Sequence, residues 1–264
     1  MKSIFFQWHF DLVTTMFLFA LTFVYLYAID FKLHKRFPYF FAGIFLLILC
    51  INSPLHFLGE NYLFSAHMLS HVLIILIAAP LIVAAIPEEN KFKKPLHFFS
   101  GKIKNPIICW FTGVGIMWFW HVPYIFNQLF QMHSMMLMNI EMLSLLVAGM
   151  IFCWPIINPY KETRIAPIAG VGYLSTACVF CSLLGLMITF APSGMYSPIH
   201  GISNSTYLSM IRNEWNISAS ADQQIAGLIM WVPCCMIYLT ASMILLIKWF
   251  GSNYTNFSNT NYTN

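Results

Sequence analysis

The sequence predicts an all-α fold, a polytopic membrane bundle of seven transmembrane helices, and three observations carry that prediction. The 264 residues are 59% hydrophobic and only 8% charged, against roughly 25% charge in an ordinary soluble domain. Seven apolar stretches punctuate the chain, and most reach the ~20 residues needed to cross ~30 Å of hydrocarbon. Their runs are continuously apolar, which excludes the alternating pattern of a membrane β-barrel.

The first stretch, Phe10 to Ile29, has a weakly basic start, with Asp11 near its beginning and no small-residue cleavage site, so it reads as a retained helix. Pro38 to Ile51 is short and extends towards Leu55. Tyr62 to Ile86, Pro106 to Phe130, Met135 to Ile157, Pro167 to Ala191 and Gln223 to Phe250 complete the set. Lys32, Lys35, Arg36, Lys91, Lys93, Lys94, Lys102, Lys104, Lys161, Arg164 and Lys248 fall on one side of this arrangement, and only Lys2 and Arg212 on the other. The positive-inside rule then sets the N-terminus outside and the C-terminus in the cytoplasm. Trp8 and Trp120 are expected in an outer aromatic belt, Trp154 and Trp249 in an inner one.

Residues 1–251 read as one helical domain without repeat or linker, followed by an Asn-rich cytoplasmic tail, 252–264, too poor in apolar residues to fold. The stretch Pro87 to Asn105 is a basic topogenic loop near anionic lipid. Pro192 to Asp222 is the longest external connection, long enough to be a lid or docking surface. The net charge of +4 is sorted among loops and serves orientation, so no nucleic-acid partner follows.

Chemistry concentrates in the histidines. Seven of the nine lie towards the outer side, and His67, His71, His121 and His133 sit at or within apolar helices. His67 and His71 are four residues apart, so their rings share a helix face, roughly 7 and 13 Å along an axis that starts near Tyr62. His121 precedes Val122-Pro123, where the helix is expected to bend or end. Membrane-depth imidazoles need partners: a metal ion, a haem or a proton path. Met68 beside His67 and Met135, Met138 and Met142 near His133 are soft donors that favour Cu(I) over zinc, although most methionines in such a bundle are packing. Glu141 is open to three roles: orienting a histidine, accepting a proton, or bridging helices. Cys178 and Cys181, and adjacent Cys234 and Cys235, read first as reduced apolar thiols near mid-membrane, with a soft-metal transit site as the alternative.

Several motifs occur together and in order between Asn52 and Pro233. They are Ser53-Pro54-Leu55-His56; Phe64-Ser65-Ala66-His67-Met68 followed by His71 and Ala79-Pro80-Leu81; Trp120-His121-Val122-Pro123; Trp154-Pro155; and Asp222-Gln223-Gln224 running to Trp231-Val232-Pro233. This set resembles the CtaG family of cytochrome c oxidase assembly factors. The resemblance implies a multi-pass protein of the bacterial inner (plasma) membrane that serves maturation of a haem-copper oxidase and formation of its copper centre. It carries over His56, His67, His71, His121, His133, Asp222 and Gln223 as motif positions. The family commonly places a histidine after the residue matching Glu141, whereas this chain has Met142.

The combined expectation is a non-enzymatic assembly factor holding copper through His67, His71, His121 and His133. His56, Met68, Met135, Met142, Glu141, Asp222 and Gln223 are further ligands or supports. Partners would be membrane lipid, oxidase subunits and a periplasmic copper chaperone. A b-type haem electron carrier, an intramembrane zinc hydrolase and a metal-free scaffold are the alternatives.

Overall fold

The computed structural model describes residues 6–8, 10, 12–32, 34–102, 105–131, 135–192, 194–196 and 206–261. Of residues 99, 100, 102, 131, 135 and 252–261 it describes the backbone alone. Among the described residues every regular element is helical: α1 Leu12–Ala28, α2 Phe37–Asn52, α3 Pro54–Asn61, α4 Phe64–Leu73, α5 Ala79–Ala85, α6 Lys93–Lys102, α7 Pro106–Trp120, α8 Pro123–Gln131, α9 Met135–Ile157, α10 Pro167–Phe190, α11 Thr206–Ser209 and α12 Ala219–Asn261.

Four helices are long and apolar enough to cross a membrane alone: Phe64–Ala85, Met136–Ile157, Pro167–Phe190 and Ala219–Gly251. The bent pairs α2 with α3 and α7 with α8 raise that number to six if each pair is one span, and Leu12–Ala28 is a shorter apolar helix.

The bends follow from proline. Pro54 and Pro123 each open a helix, where the missing N–H costs nothing, and the chain turns by 42° at Ser53 and 60° at His121 to Val122. Ser53 caps α3, its hydroxyl accepting the Leu55 amide at 3.1 Å. The stretch Pro38 to Leu55 therefore breaks at Ser53, and Pro106 to Phe130 is two rods divided at the expected Val122-Pro123 break. The third span absorbs Pro80 differently. A wide π turn, Ile74–Ala78, joins α4 to α5, and the Ala79 amide donates back to the Ile74 carbonyl. One extra residue in that turn accommodates the proline ring and its missing donor without breaking the span.

The core runs the height of the bundle, from Phe64, Met68 and Phe126 near one end to Leu145, Phe152 and Tyr173 further along. Helices α10 and α12 approach almost backbone to backbone. A Cβ on Gly227 would stand 2.7 Å from the Gly185 carbonyl, and one on Gly185 would stand 2.7 Å from the Trp231 Cβ. Only glycine admits that approach.

Two tryptophans expected in the lipid belts are core residues instead. Trp120 and Trp154 are buried, and the Trp120 indole donates to the Ser144 hydroxyl at 2.7 Å. Each ring fills an interhelical gap that lipid contact would leave open. The expected tail also differs in part. Helix α12 continues to Asn261, since extending an existing helix fixes one residue per hydrogen bond gained.

Candidate metal centre

The site is assembled where α4, α7 and α9 meet. Helix α4 begins at Phe64 because Asp222, in the first turn of α12, caps it: its carboxylate accepts the Phe64 amide at 2.7 Å, the Ser65 amide at 3.1 Å and the Ser65 hydroxyl. Two of the four donors that a helix start leaves unsatisfied are thereby met by a side chain 158 residues away. Behind α4, Gly59 of α3 lies so close that a Cβ there would stand 2.9 Å from the His67 amide nitrogen. From this fixed start His67 and His71 fall ~5 and ~11 Å along the axis.

Their rings are in contact, with centroids 4.2 Å apart and planes at 60°. Glu141 comes in from α9, and its Oε1 lies 3.4 Å from both His67 Nε2 and His71 Nε2. All three residues are buried, Glu141 and His71 at 0% exposure. One donor atom from each lies within 4.8 Å of the others, the one such group of three or more metal-ligating side chains among the described residues. His71 finds no hydrogen-bond partner at either ring nitrogen, and Glu141 Oε2 has none. Buried polar atoms are seldom left so.

His121 joins from the broken end of α7. Its Nδ1 is 2.6 Å from the Met117 carbonyl, which can only accept, so Nδ1 carries the proton and Nε2 presents a lone pair. That lone pair faces Met68 Sδ at 3.0 Å, and a thioether has no proton to give. The ring centroids of His71 and His121 are 5.3 Å apart. His121 stands as the cap at the end of α7, just before the chain turns by 60° into α8. Aromatic rings cover the site: Tyr196 donates its hydroxyl to the His121 carbonyl at 3.0 Å and stacks on Phe64, while Phe126 and Phe130 flank His67.

The donors suit a metal ion. Two imidazole nitrogens and a carboxylate oxygen within 4.8 Å of one another need only small rotamer adjustments to reach bonds of ~2.0–2.2 Å to one ion. The facing imidazole and thioether of His121 and Met68 add soft character. A haem is excluded between these rings, since centroids of 4.2 and 5.3 Å leave no space for a macrocycle with an iron–nitrogen bond on either side.

The family model for cytochrome c oxidase caa3 assembly factors, Caa3_CtaG, matches residues 17–252, nearly the whole chain. The chain belongs to that family. No curated protein and no solved structure matches it. As a multi-pass caa3-type assembly factor it associates with cytochrome c oxidase.

The other motif positions of this assembly factor are placed elsewhere or beyond view. His56 pairs with Glu60 on its own helix, Nε2 to Oε1 2.9 Å. Gln223 donates its amide to the carbonyls of Ile188 at 3.2 Å and Ala191 at 2.8 Å, tying α12 to the end of α10. Met142 is buried in the core and lines an apolar cavity with Leu47, Ile51 and Leu146. His133 lies outside the described residues, and Met135 is described by its backbone alone. Glu141 is the residue whose part the spacing understated. Its contacts are on α4, another helix, which spacing along α9 does not reveal.

Proposed function

We propose that this protein is a non-enzymatic assembly factor that helps build the copper centre of haem-copper cytochrome c oxidase by holding a cuprous ion among His67, His71, His121, Met68 and Glu141. The observation that carries the reading is the unmatched set of lone pairs: His71 without a partner at either nitrogen, and His121 Nε2 against a thioether that cannot donate. A soft cation satisfies both at once. A negative carboxylate beside a single positive ion keeps the buried site near neutral, which limits the cost of placing charge in a low-dielectric interior.

The surrounding reading is a seven-span protein of the bacterial inner (plasma) membrane, N-terminus outside and C-terminus cytoplasmic. It counts the bent pairs and Leu12–Ala28, about 26 Å long, as spans, and it rests on the sorting of Lys and Arg. The histidines then lie under the outer surface, with the loop around Tyr196 above them. Nascent oxidase subunits dock on that loop face, and a periplasmic copper chaperone supplies the ion.

A zinc site is the second reading, because two histidines, one glutamate and an open position are a zinc donor set. Metal analysis of the purified protein decides between them. The expected result is copper in the wild type and a lower copper content in His67→Ala and His71→Ala; equal copper in all three overturns the copper reading, and stoichiometric zinc in its place establishes the second.

A further inference from the structure

A second cluster of soft donors lies between α10 and α12, and the histidine site makes no use of it. Four of the chain's seven cysteines converge there. Cys178 and Cys181 are one turn apart on α10, and Cys234 and Cys235 are adjacent on α12. They face each other in two pairs. Cys178 donates its S–H to Cys235 Sγ at 3.0 Å, and Cys181 lies beside Cys234. Two hydroxyls support the sulphurs. Ser182 Oγ lies 3.0 Å from Cys235 Sγ and spends its own proton on the Cys178 carbonyl at 2.8 Å, so it accepts from Cys235. Tyr238 lies beside Cys181. Cys181 is fully buried and Cys234 nearly so.

We infer that these facing thiol pairs form a second, thiol-based site for a soft monovalent ion, Cu(I), deeper in the bundle than the histidines. Two features select that ion. No three of the described sulphurs come together as one ligand group, so a tetrahedral four-sulphur zinc or iron–sulphur site is not built, whereas a pair of sulphurs suits a low-coordinate d10 ion. Charge is the second feature. A monovalent ion on two thiolates leaves a net negative charge in the membrane interior, and a divalent ion is neutral on one pair only after both buried thiols have given up their protons. One Cu(I) that displaces one thiol proton, giving Cu–S(Cys) with the partner as a neutral S–H donor and H+ released to solvent, leaves none. From 3.0 Å the two sulphurs need to part by roughly 1–1.6 Å, depending on the bond angle, to hold such an ion at bonds of ~2.3 Å. Cys234 lies twelve residues beyond Asp222, so the thiols sit ~18 Å along α12 from the residue that caps α4, about one to two turns deeper than His71.

This site does not depend on the histidine reading, and the test separates them. The full chain, purified in detergent under anaerobic conditions and carrying His67→Ala, His71→Ala and His121→Ala together, is titrated with Cu(I) against a chromogenic cuprous chelator. Retained copper and an ultraviolet thiolate-to-copper charge-transfer band are expected; adding Cys181→Ser and Cys235→Ser should abolish both. Maleimide labelling of the native cysteines should slow at least tenfold when Cu(I) is present, and this readout stands if the serine variants fail to fold. Equal copper retention with and without the cysteines, or identical labelling rates with and without Cu(I), overturns the proposal. So does the loss of two hydrogens by mass in a protein that takes up no copper, since the pairs would then be a disulfide system.

Discussion

The carboxylate of Asp222 holds the amide of Phe64 at 2.7 Å, so the helix that carries His67 and His71 is started by a residue of the last span. Removing it strips a buried helix end of its acceptor. Asp222→Ala is expected to cost about 1–3 kcal/mol and to weaken copper binding by displacing His67, with Asp222→Asn milder in both. Thermal unfolding in detergent together with metal titration checks the pair of effects.

Glu141 is wholly buried at 3.4 Å from two imidazoles. Glu141→Gln keeps its shape and removes its charge. The metal-free protein is expected to unfold at an equal or higher temperature, because a neutral amide is cheaper to bury than a carboxylate. Copper affinity is expected to fall at least about tenfold. A competition titration beside a thermal melt measures both, and unchanged affinity would remove Glu141 from the site.

Met68→Leu separates packing from ligation. The exchange nearly conserves volume and is expected to cost less than about 1.5 kcal/mol. If the thioether facing His121 at 3.0 Å is a ligand, Cu(I) binding falls while binding of added zinc is little changed. Parallel titrations with the two metals give the contrast.

His56 is the matching control. It pairs with Glu60 four residues on, at 2.9 Å and part-exposed, and such a pair contributes on the order of 0.5 kcal/mol or less. His56→Ala is expected to leave copper content and melting temperature almost unchanged. A copper loss equal to that of His67→Ala would enlarge the site.

Gly227→Ala probes the scaffold alone. With the Gly185 carbonyl at 2.7 Å from the added methyl, α10 and α12 must separate, at an expected cost of about 1–3 kcal/mol. The thermal midpoint should drop while the copper stoichiometry of the protein that remains folded is kept.

Much of this was readable from residue order. Apolar length and charge sorting gave a helical membrane chain, four-residue spacing set His67 and His71 on one face, and Val122-Pro123 marked a break. What spacing could not supply was contact between helices. Glu141 stayed open among three roles because its partners lie on another helix, α4. Asp222 and Gln223 share a motif with the site yet work by capping one helix and tethering another. Trp120 resembled a belt residue until Ser144 was found at its indole nitrogen. Each of these depends on azimuth and tilt, which a hydropathy pattern does not record.

The wide turn at Ile74–Ala78 carries one residue more than a regular turn, and a residue corresponds to ~100° of rotation about the axis. The halves of that rod on either side of the turn are thus dialled to different compass bearings. That turn and the Asp222 cap bound the segment from which two imidazoles point at a glutamate. A substitution that let the rod wind evenly would swing them off target while leaving every one of them in the chain.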